Sequence, residues 1–432
     1  MERPWLPSKI HRFLDGLTGE IQPDVCRRMV DPHPTPDLST FPAPIVSAIP
    51  VLSWEEFCGG SDQTIRSMLD VGETRLTTSG RMAIALALRL MEVGPGNEVL
   101  VPAYHCSSML EPLWHEGIRC TYYRINPDTS IDLNDVERRL TPRTRALMVT
   151  HYFGFPQDMM AIRNFCDTHG LMLLEDCAHA FFGEYQDKPL GSYGDYAIGS
   201  LMKFFPVYDG GCLVSARHSL KDVDLASCPI TFQVRAMTNA LERAFRQQRL
   251  WPLNYISRPF LFAKDRLWRR YRTHPGNSRA PNSIPAASEG GFGYSAEWVR
   301  KKISPVSALL FRLSSTKQNV ICRRRNYARI AKAFSQIQGC TVLHPLLPDH
   351  VVPYVVPVLF ANPDPLFWEL RRKAVPVQRW EFLSKEVTPT EYPVSASYSR
   401  RLIQVPCHQS LRPDELSWIT EMCAATFGRT ED

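Results

Sequence analysis

The chain has 432 residues, enough for two or three domains and a large core. With 44% hydrophobic and 22% charged residues it has an ordinary globular composition, and no apolar run approaches the roughly 20 residues of a membrane span. The net charge of +6 is concentrated: residues 241–280 hold ten Lys and Arg against two Asp and Glu, a local +8 that leaves −2 elsewhere. That distribution argues against a general nucleic-acid-binding surface. The N-terminus has no apolar signal-like stretch, so a cytoplasmic location is expected. The twelve cysteines form no C-x-x-C pair and no zinc-like spacing, which reads as reduced core thiols and no metal site.

Residues 1–60 open with a short amphipathic stretch and continue into a segment where proline recurs too often for a helix or a central strand. An extended arm, lying on the body or on a partner subunit, is expected there. Residues 79–92 are rich in alanine and leucine, open on Ser79-Gly80 and close on Gly94-Pro95-Gly96, which predicts a helix. Its free N–H groups and positive dipole end suit a phosphate. Strand-like runs at 98–101, 120–125 and 145–150 then alternate with helical runs at 133–140 and 159–169, the pattern of β-α-β units and a mainly parallel sheet.

Residues 171–174 are a continuous apolar run that ends in Glu175-Asp176. This puts a carboxylate at the carboxyl end of a buried strand, where open α/β sheets bind ligands. The next strand-like run, 197–201, leads to Lys203, and Gly210-Gly211 turns the chain into a further strand at 212–214. A lysine at a strand end can pack its stem and send its head to water. It can also be desolvated into a nucleophilic amine. An acid and an amine on neighbouring strand ends are the two groups that pyridoxal phosphate chemistry uses: the acid keeps the pyridine nitrogen protonated and the lysine holds the aldehyde.

Taken in order, Ser79-Gly80, Gly94-Pro95-Gly96-Asn97-Glu98, His151-Tyr152-Phe153-Gly154, Glu175-Asp176-Cys177-Ala178-His179 and Lys203 with Gly210-Gly211 resemble the DegT/DnrJ family of pyridoxal-phosphate-dependent sugar aminotransferases. The resemblance is strongest over 74–215 and loose in the C-terminal third. It implies an α/β fold of the aspartate aminotransferase type, a three-layer large domain with a mainly parallel sheet and a smaller α+β C-terminal domain. It implies transfer of an amino group from an amino acid such as glutamate to a keto-sugar, nucleotide-linked, in polysaccharide or glycan assembly, by a homodimer. It makes Lys203 and Asp176 the catalytic, cofactor-holding pair and puts the cofactor phosphate on the Gly80 and Arg81 amides. Arg81 replaces a usual threonine, exchanging a hydroxyl for a cation. His179 falls near the cofactor's phenolic oxygen. Ser200 is the phosphate ligand three residues before Lys203, because Ile198 stands where the family more usually has serine. The ring-stacking position falls on Cys106 in strict register, with Tyr104 or His105 available if the loop shifts. Some members dehydrate sugars, with histidine in place of the lysine; Lys203 argues against that. A non-catalytic binding or regulatory protein on the same fold is the other alternative, favoured by the departures at Arg81, Cys106 and Ile198.

The expected organisation is an arm at 1–60, a large cofactor-binding domain at 61–225, a basic aromatic insertion at 226–300 and a small domain at 301–432. In the insertion, arginines alternate with Trp251, Tyr255, Phe260, Phe262, Trp268 and Tyr271. It reads either as a surface for anionic lipid or a nucleotide diphosphate, giving a weak membrane contact through 241–280, or as a helical insertion with packed aromatics and solvated arginines. From 304 a long helix is expected, then strands at 352–360, 375–379 and 402–406. The family's Asn-Tyr-Arg signature before that helix is absent, which leaves open whether a partner subunit completes the site. His408 is placed either in the substrate pocket or at the surface.

Overall fold

The computed structural model describes residues 28–30, 41–59, 65–257, 259, 266, 293–361, 363–380 and 382–427. The apolar runs pair into one seven-stranded sheet: β1 (Glu73–Thr77), β2 (Glu98–Pro102), β3 (Arg119–Tyr123), β4 (Thr144–Thr150), β5 (Met172–Asp176), β6 (Tyr196–Ser200) and β7 (Gly211–Ser215). Their order across the sheet is β1-β7-β6-β5-β4-β2-β3. Strands β3, β2, β4, β5 and β6 run parallel, and β7 is antiparallel to both its neighbours. Every residue of β2, β6 and β7 is buried. A sheet covered on both faces requires such unbroken apolar strands rather than alternation.

Helices α1 (Gly80–Leu90), α2 (Ser107–His115), α3 (Leu133–Arg138) and α4 (Met159–His169) lie between these strands in the chain. The limits of α4 follow from chemistry at its ends: the Asp158 carboxylate accepts from the Ala161 N–H at 3.1 Å, and Gly170 closes the helix at φ +64°. At the start of α1 the backbone comes against β7 so closely that a Cβ on Gly211 would stand 2.2 Å from the Ser79 carbonyl carbon. Glycine is therefore obligatory there.

After β7 come α5 (Ile230–Arg246), α6 (Pro305–Leu313) and α7 (Thr316–Phe334). The long helix expected from 304 is thus two helices, broken at Ser314-Ser315, where the Ser315 hydroxyl caps α7 by accepting from the Gln318 N–H at 3.1 Å. Within the insertion, Trp251 and Tyr255 are exposed, while Arg249 is buried in an ion pair with Glu415 at 2.5 Å rather than solvated. Phe260, Phe262, Trp268 and Tyr271 lie outside the described residues, as do residues 1–27 and 31–40 of the arm. The described part of the arm lies on this chain's own body: Met29–Val30 pairs with Leu383–Ser384, and Ile45 donates its N–H to the Ala374 carbonyl at 3.1 Å. No described helix is long and apolar enough to cross a membrane.

The C-terminal part builds a second core around an antiparallel sheet of β8 (Cys340–Val342), β9 (Val355–Phe360) and β10 (Leu402–Pro406), packed with α7, α8 (Pro363–Arg372) and α10 (Pro413–Phe427), with α9 (Pro393–Arg401) beside β9 and β10. The strand expected at 375–379 does not form. Ala374 leaves α8 at φ +59°, Val377 turns back on Val375, and only Gln378 bridges to Gln404 of β10.

A buried acid joins the arm to the C-terminal part. Glu56 is 2% exposed, accepts from the Ser410 hydroxyl at 3.1 Å, and receives the Gln409 amide at 3.5 Å. Burial pushes its pKa up to about 7, against the lowering effect of Ser410, Gln409 and the charge of Arg323. The folded value lies above the unfolded one. Its contribution to stability is therefore fully present below the ordinary carboxylate range and is lost as pH rises through about 7. Glu56→Gln is expected to be more stable than wild type at about pH 8.5 by on the order of 1–3 kcal/mol, with the gap closing near pH 5. Denaturant midpoints at the two pH values check this, and a gap equal at both would refute it.

Candidate active site

The parallel strands end on one side of the sheet, and there β4, β5 and β6 deliver Thr150, Asp176 and Ser200 to one open cleft with about 580 Å³ of empty space. Asp176 is 2% exposed and its Oδ1 accepts from the Ala178 N–H at 2.9 Å. Burial raises its pKa, and the nearby Lys203 charge works in the other direction. Lys203 ends a short 3-10 turn, Leu201–Lys203, that follows β6. Its Nζ faces the Tyr354 ring at 5.4 Å. Burial pulls its pKa down and Arg81 adds to that, while Cys106 and Asp176 oppose it. Both groups line the same cleft.

The N-terminus of α1 forms another wall. The Ser79 hydroxyl caps it by accepting from the Met82 N–H at 3.4 Å. Gly80, Arg81 and Ser200 all line the cleft, and a Cβ on Gly80 would lie 3.8 Å from that of Ser200. The Arg81 guanidinium is buried and paired with Glu111 at 2.9 Å, and it donates to Ser108 at 3.2 Å. The cation expected from that substitution is thus already matched by a carboxylate. Charge for a phosphate at this wall comes chiefly from the helix end.

His179 lines the cleft with its ring 4.4 Å from that of Tyr354. Its Nδ1 accepts from the Phe153 N–H at 3.3 Å, so the proton of the neutral ring is on Nε2. Burial, reinforced by the Lys203 charge, holds its pKa well below the ordinary range.

The loop after β2 keeps strict register because Ala103 donates to the Tyr123 carbonyl at 2.9 Å. Cys106, the residue that precedes α2, consequently faces the cleft. Tyr104 turns inward instead, fully buried against Tyr152 and Trp380, with ring centroids 5.6 and 5.0 Å away. His105 is committed elsewhere, bonded to the Pro102 carbonyl at 3.2 Å and the Ser384 N–H at 3.0 Å. Neither can stack in the cleft. His408 is also removed from it: it is 2% exposed and its Nε2 donates to the Ser47 carbonyl at 3.0 Å, so it is neither a pocket nor a surface residue.

Two cleft residues have no marker in the sequence. Trp380 arrives from the C-terminal part, with its ring 5.3 Å from that of His179. Thr150 pairs in register with Asp176, is 3% exposed, and has a hydroxyl that finds no hydrogen-bond partner among the described residues although it lines the cleft. A buried hydroxyl without a partner is costly unless a ligand satisfies it. With an acid, an amine, a helix N-terminus and this hydroxyl around one cleft, the residues present fit pyridoxal phosphate. In the neighbourhood where the Asn-Tyr-Arg signature is missing, Ser304 and Ser307 donate to the buried Asp209 carboxylate at 2.6 and 2.5 Å.

Residues 62–246 match the DegT/DnrJ/EryC1/StrS aminotransferase family. Among curated relatives, UDP-N-acetyl-3-dehydro-alpha-D-glucosamine 3-aminotransferase of Acidithiobacillus ferrooxidans is 34% identical over 33% of this chain and 40% of its own. The dTDP-4-dehydro-2,3,6-trideoxy-D-glucose 4-aminotransferase of Saccharopolyspora spinosa is 32% identical over 35% and 40%. The match thus spans about two-fifths of the length of these relatives. Solved structures extend the likeness at the level of fold. The aminotransferase TlmJ from Streptoalloteichus hindustanus has a TM-score of 0.57 at 20% identity, over 84% of this chain and 88% of its own. Helicobacter pylori PseC, an aminotransferase involved in the biosynthesis of pseudoaminic acid, has a TM-score of 0.58 at 17% identity over the same shares. The fold is therefore the α/β fold of these aminotransferases, and it is residues 62–246 that match the model of the DegT/DnrJ/EryC1/StrS aminotransferase family which the motifs resemble.

Proposed function

We propose that this protein is a pyridoxal-phosphate-dependent aminotransferase that moves an amino group from an amino acid, with glutamate as the candidate donor, to a nucleotide-linked keto-sugar in glycan or polysaccharide assembly. The observation that carries the reading is the juxtaposition of Asp176 and Lys203 in one cleft with the N-terminus of α1. When bound, the cofactor supplies an aldehyde and an electron-accepting ring that exchange for an amino group. Lys203 would hold it, Asp176 would pair with its ring nitrogen, and Gly80, Arg81 and Ser200 would take the phosphate. Cys106 would stand against the ring, with the His179 Nε2–H and the Thr150 hydroxyl as donors to it.

The chain's own groups account for the proton chemistry. Burial lowers the Lys203 pKa, which favours the free amine that would take a proton from the donor's α-carbon and return it. Burial raises that of Asp176, so an ionised carboxylate there gains most from a cationic partner in a dry site. Trp380 and Tyr354 set aromatic rings beside His179 and Lys203. The relatives named as nucleotide-sugar aminotransferases support the acceptor class, and homodimerisation is what the family resemblance implies. A cytoplasmic setting accords with such substrates. The division into a cofactor-binding part at 61–225, an insertion at 226–300 and a small domain at 301–432 remains our reading of the organisation.

The test is the visible spectrum of the protein supplied with pyridoxal phosphate, before and after L-glutamate, beside Lys203→Ala. A yellow band that bleaches with glutamate is expected in wild type and is expected to be missing in the variant. If wild type gains no band, the proposal fails and a non-catalytic role takes its place.

A further inference from the structure

Arg323 of α7 is fully buried, and its five hydrogen bonds among the described residues all go to neutral oxygens. Its Nη2 donates to the Lys203 carbonyl at 2.8 Å. Its Nε donates to Asn319 Oδ1 at 2.7 Å and Gln409 Oε1 at 3.2 Å, and its Nη1 to the Pro353 and Tyr354 carbonyls at 3.3 and 3.2 Å. The two residues that seat it also reach the site: Asn319 Nδ2 and Gln409 Nε2 both donate to the Phe204 carbonyl, at 2.6 and 2.9 Å. The guanidinium lies 4.4 Å from the Phe204 ring. Two successive carbonyls at the reactive lysine are therefore held by side chains from α7 and from the turn after β10.

Burying a guanidinium is expensive, and an apolar side chain would fill the same space at less cost. What only the guanidinium offers is a rigid planar fork that fixes several acceptors at once. Here one acceptor is the backbone of Lys203, and another is the backbone of Tyr354, whose ring faces the lysine Nζ. The same fork thus sets both the amine's anchor and the aromatic wall beside it.

We propose that Arg323 is a positioning residue for Lys203: by clamping the Lys203 and Tyr354 carbonyls, with Asn319 and Gln409 bracing Phe204, it fixes where the lysine amine stands in the cleft. The proposal deepens the reading of Lys203 as the cofactor-bearing amine and rests on it, but its test does not need the cofactor. The full chain is labelled with acetic anhydride over a series of pH values, and acetylation of Lys203 is measured against the exposed Lys221 by mass spectrometry. In Arg323→Met the amine is released toward water, and its Lys203-to-Lys221 ratio should change by about threefold, as a half-unit shift in its midpoint would produce. Arg323→Lys, which keeps one donor in reach of the carbonyl, should recover part of the wild-type ratio. Should Arg323→Met not fold, Asn319→Ala, which unseats the guanidinium without removing it, carries the same expectation. A purely structural arginine would lower the melting temperature and leave the ratio of the folded protein unchanged, and that result overturns the proposal. Failure of wild type to take up pyridoxal phosphate would remove the function proposed for the cleft, while the labelling ratio would still decide the clamp.

Discussion

Asp176→Asn is expected to lose on the order of 10²–10³-fold in kcat, the scale of removing one preorganised electrostatic partner, while the protein stays folded. The amide oxygen can still accept from the Ala178 N–H at 2.9 Å, so the local backbone keeps its partner. What is lost is the negative charge that would keep a ring nitrogen protonated. The carboxylate is 2% exposed and burial raises its pKa, so in the unliganded protein its charge is a burden. Asparagine removes that burden, and the apo variant should match or exceed wild type in denaturant midpoint, as expected where activity and stability oppose each other. The two measurements are single-turnover reaction with glutamate and urea unfolding. Turnover at the wild-type rate would end the assignment of Asp176, and a collapse in stability would make it a structural acid.

The neighbouring acid should behave in the opposite way. Glu175 is fully buried and accepts from the Gly191 N–H at 2.9 Å, the Tyr193 N–H at 2.6 Å, the Gly194 N–H and His151 Nε2 at 3.1 Å. His151 in turn accepts at Nδ1 from the Gln157 N–H at 3.2 Å. The carboxylate thereby ties β5 to the turn that starts β6, the strand leading to Lys203. Glu175→Leu strands three backbone N–H groups and a histidine away from water, at a cost on the order of 3–5 kcal/mol. Glu175→Gln keeps one accepting oxygen and turns an amide donor toward other donors, so it should fall between. Urea midpoints measure the series, and an unchanged midpoint in Glu175→Leu would refute the role.

These two adjacent acids show what a linear reading can and cannot resolve. Asp176 was legible because an apolar strand ended on it, and strand ends of parallel sheets face the ligand crevice. Glu175 lies one residue earlier and so points to the opposite face, where its partners come from a turn fifteen to twenty residues downstream; nothing in the local sequence announces them. Helix α4 was legible to the residue, since Asp158 and Gly170 mark both its ends. Its counterpart α7 was not, because Ser314 and Ser315 inside a helical pattern read as tolerated residues until one of them is seen to cap. The choice among Tyr104, His105 and Cys106 required knowing that the loop does not slip. Trp380 and Thr150 became visible only through packing. The first is 177 residues beyond Lys203, the nearest other lining residue in sequence, and the second is an ordinary strand residue until its hydroxyl is found without a partner among the described residues. The small domain was hardest to read. Its strands at 355–360 and 402–406 form within the expected runs, but Cys340–Val342 gave no signal, and Val375 to Arg379, with two valines, looked like a strand but is held off the sheet by the turn at Ala374.

The cleft draws its walls from two stretches with different histories of resemblance. Asp176, Lys203, the N-terminus of α1 and Cys106 all fall inside residues 62–246, whereas Trp380, Tyr354 and the Arg323 clamp fall outside that span. Most of the cleft's lining is thus written together with its reactive groups, and the C-terminal part adds Trp380 to the lining and Tyr354 beside the lysine. A lineage could alter those two aromatic contributions without rewriting the amine and the acid. Chimaeras joined between 246 and 305 would inherit their chemistry and most of their cleft from one parent and only its aromatic edge from the other.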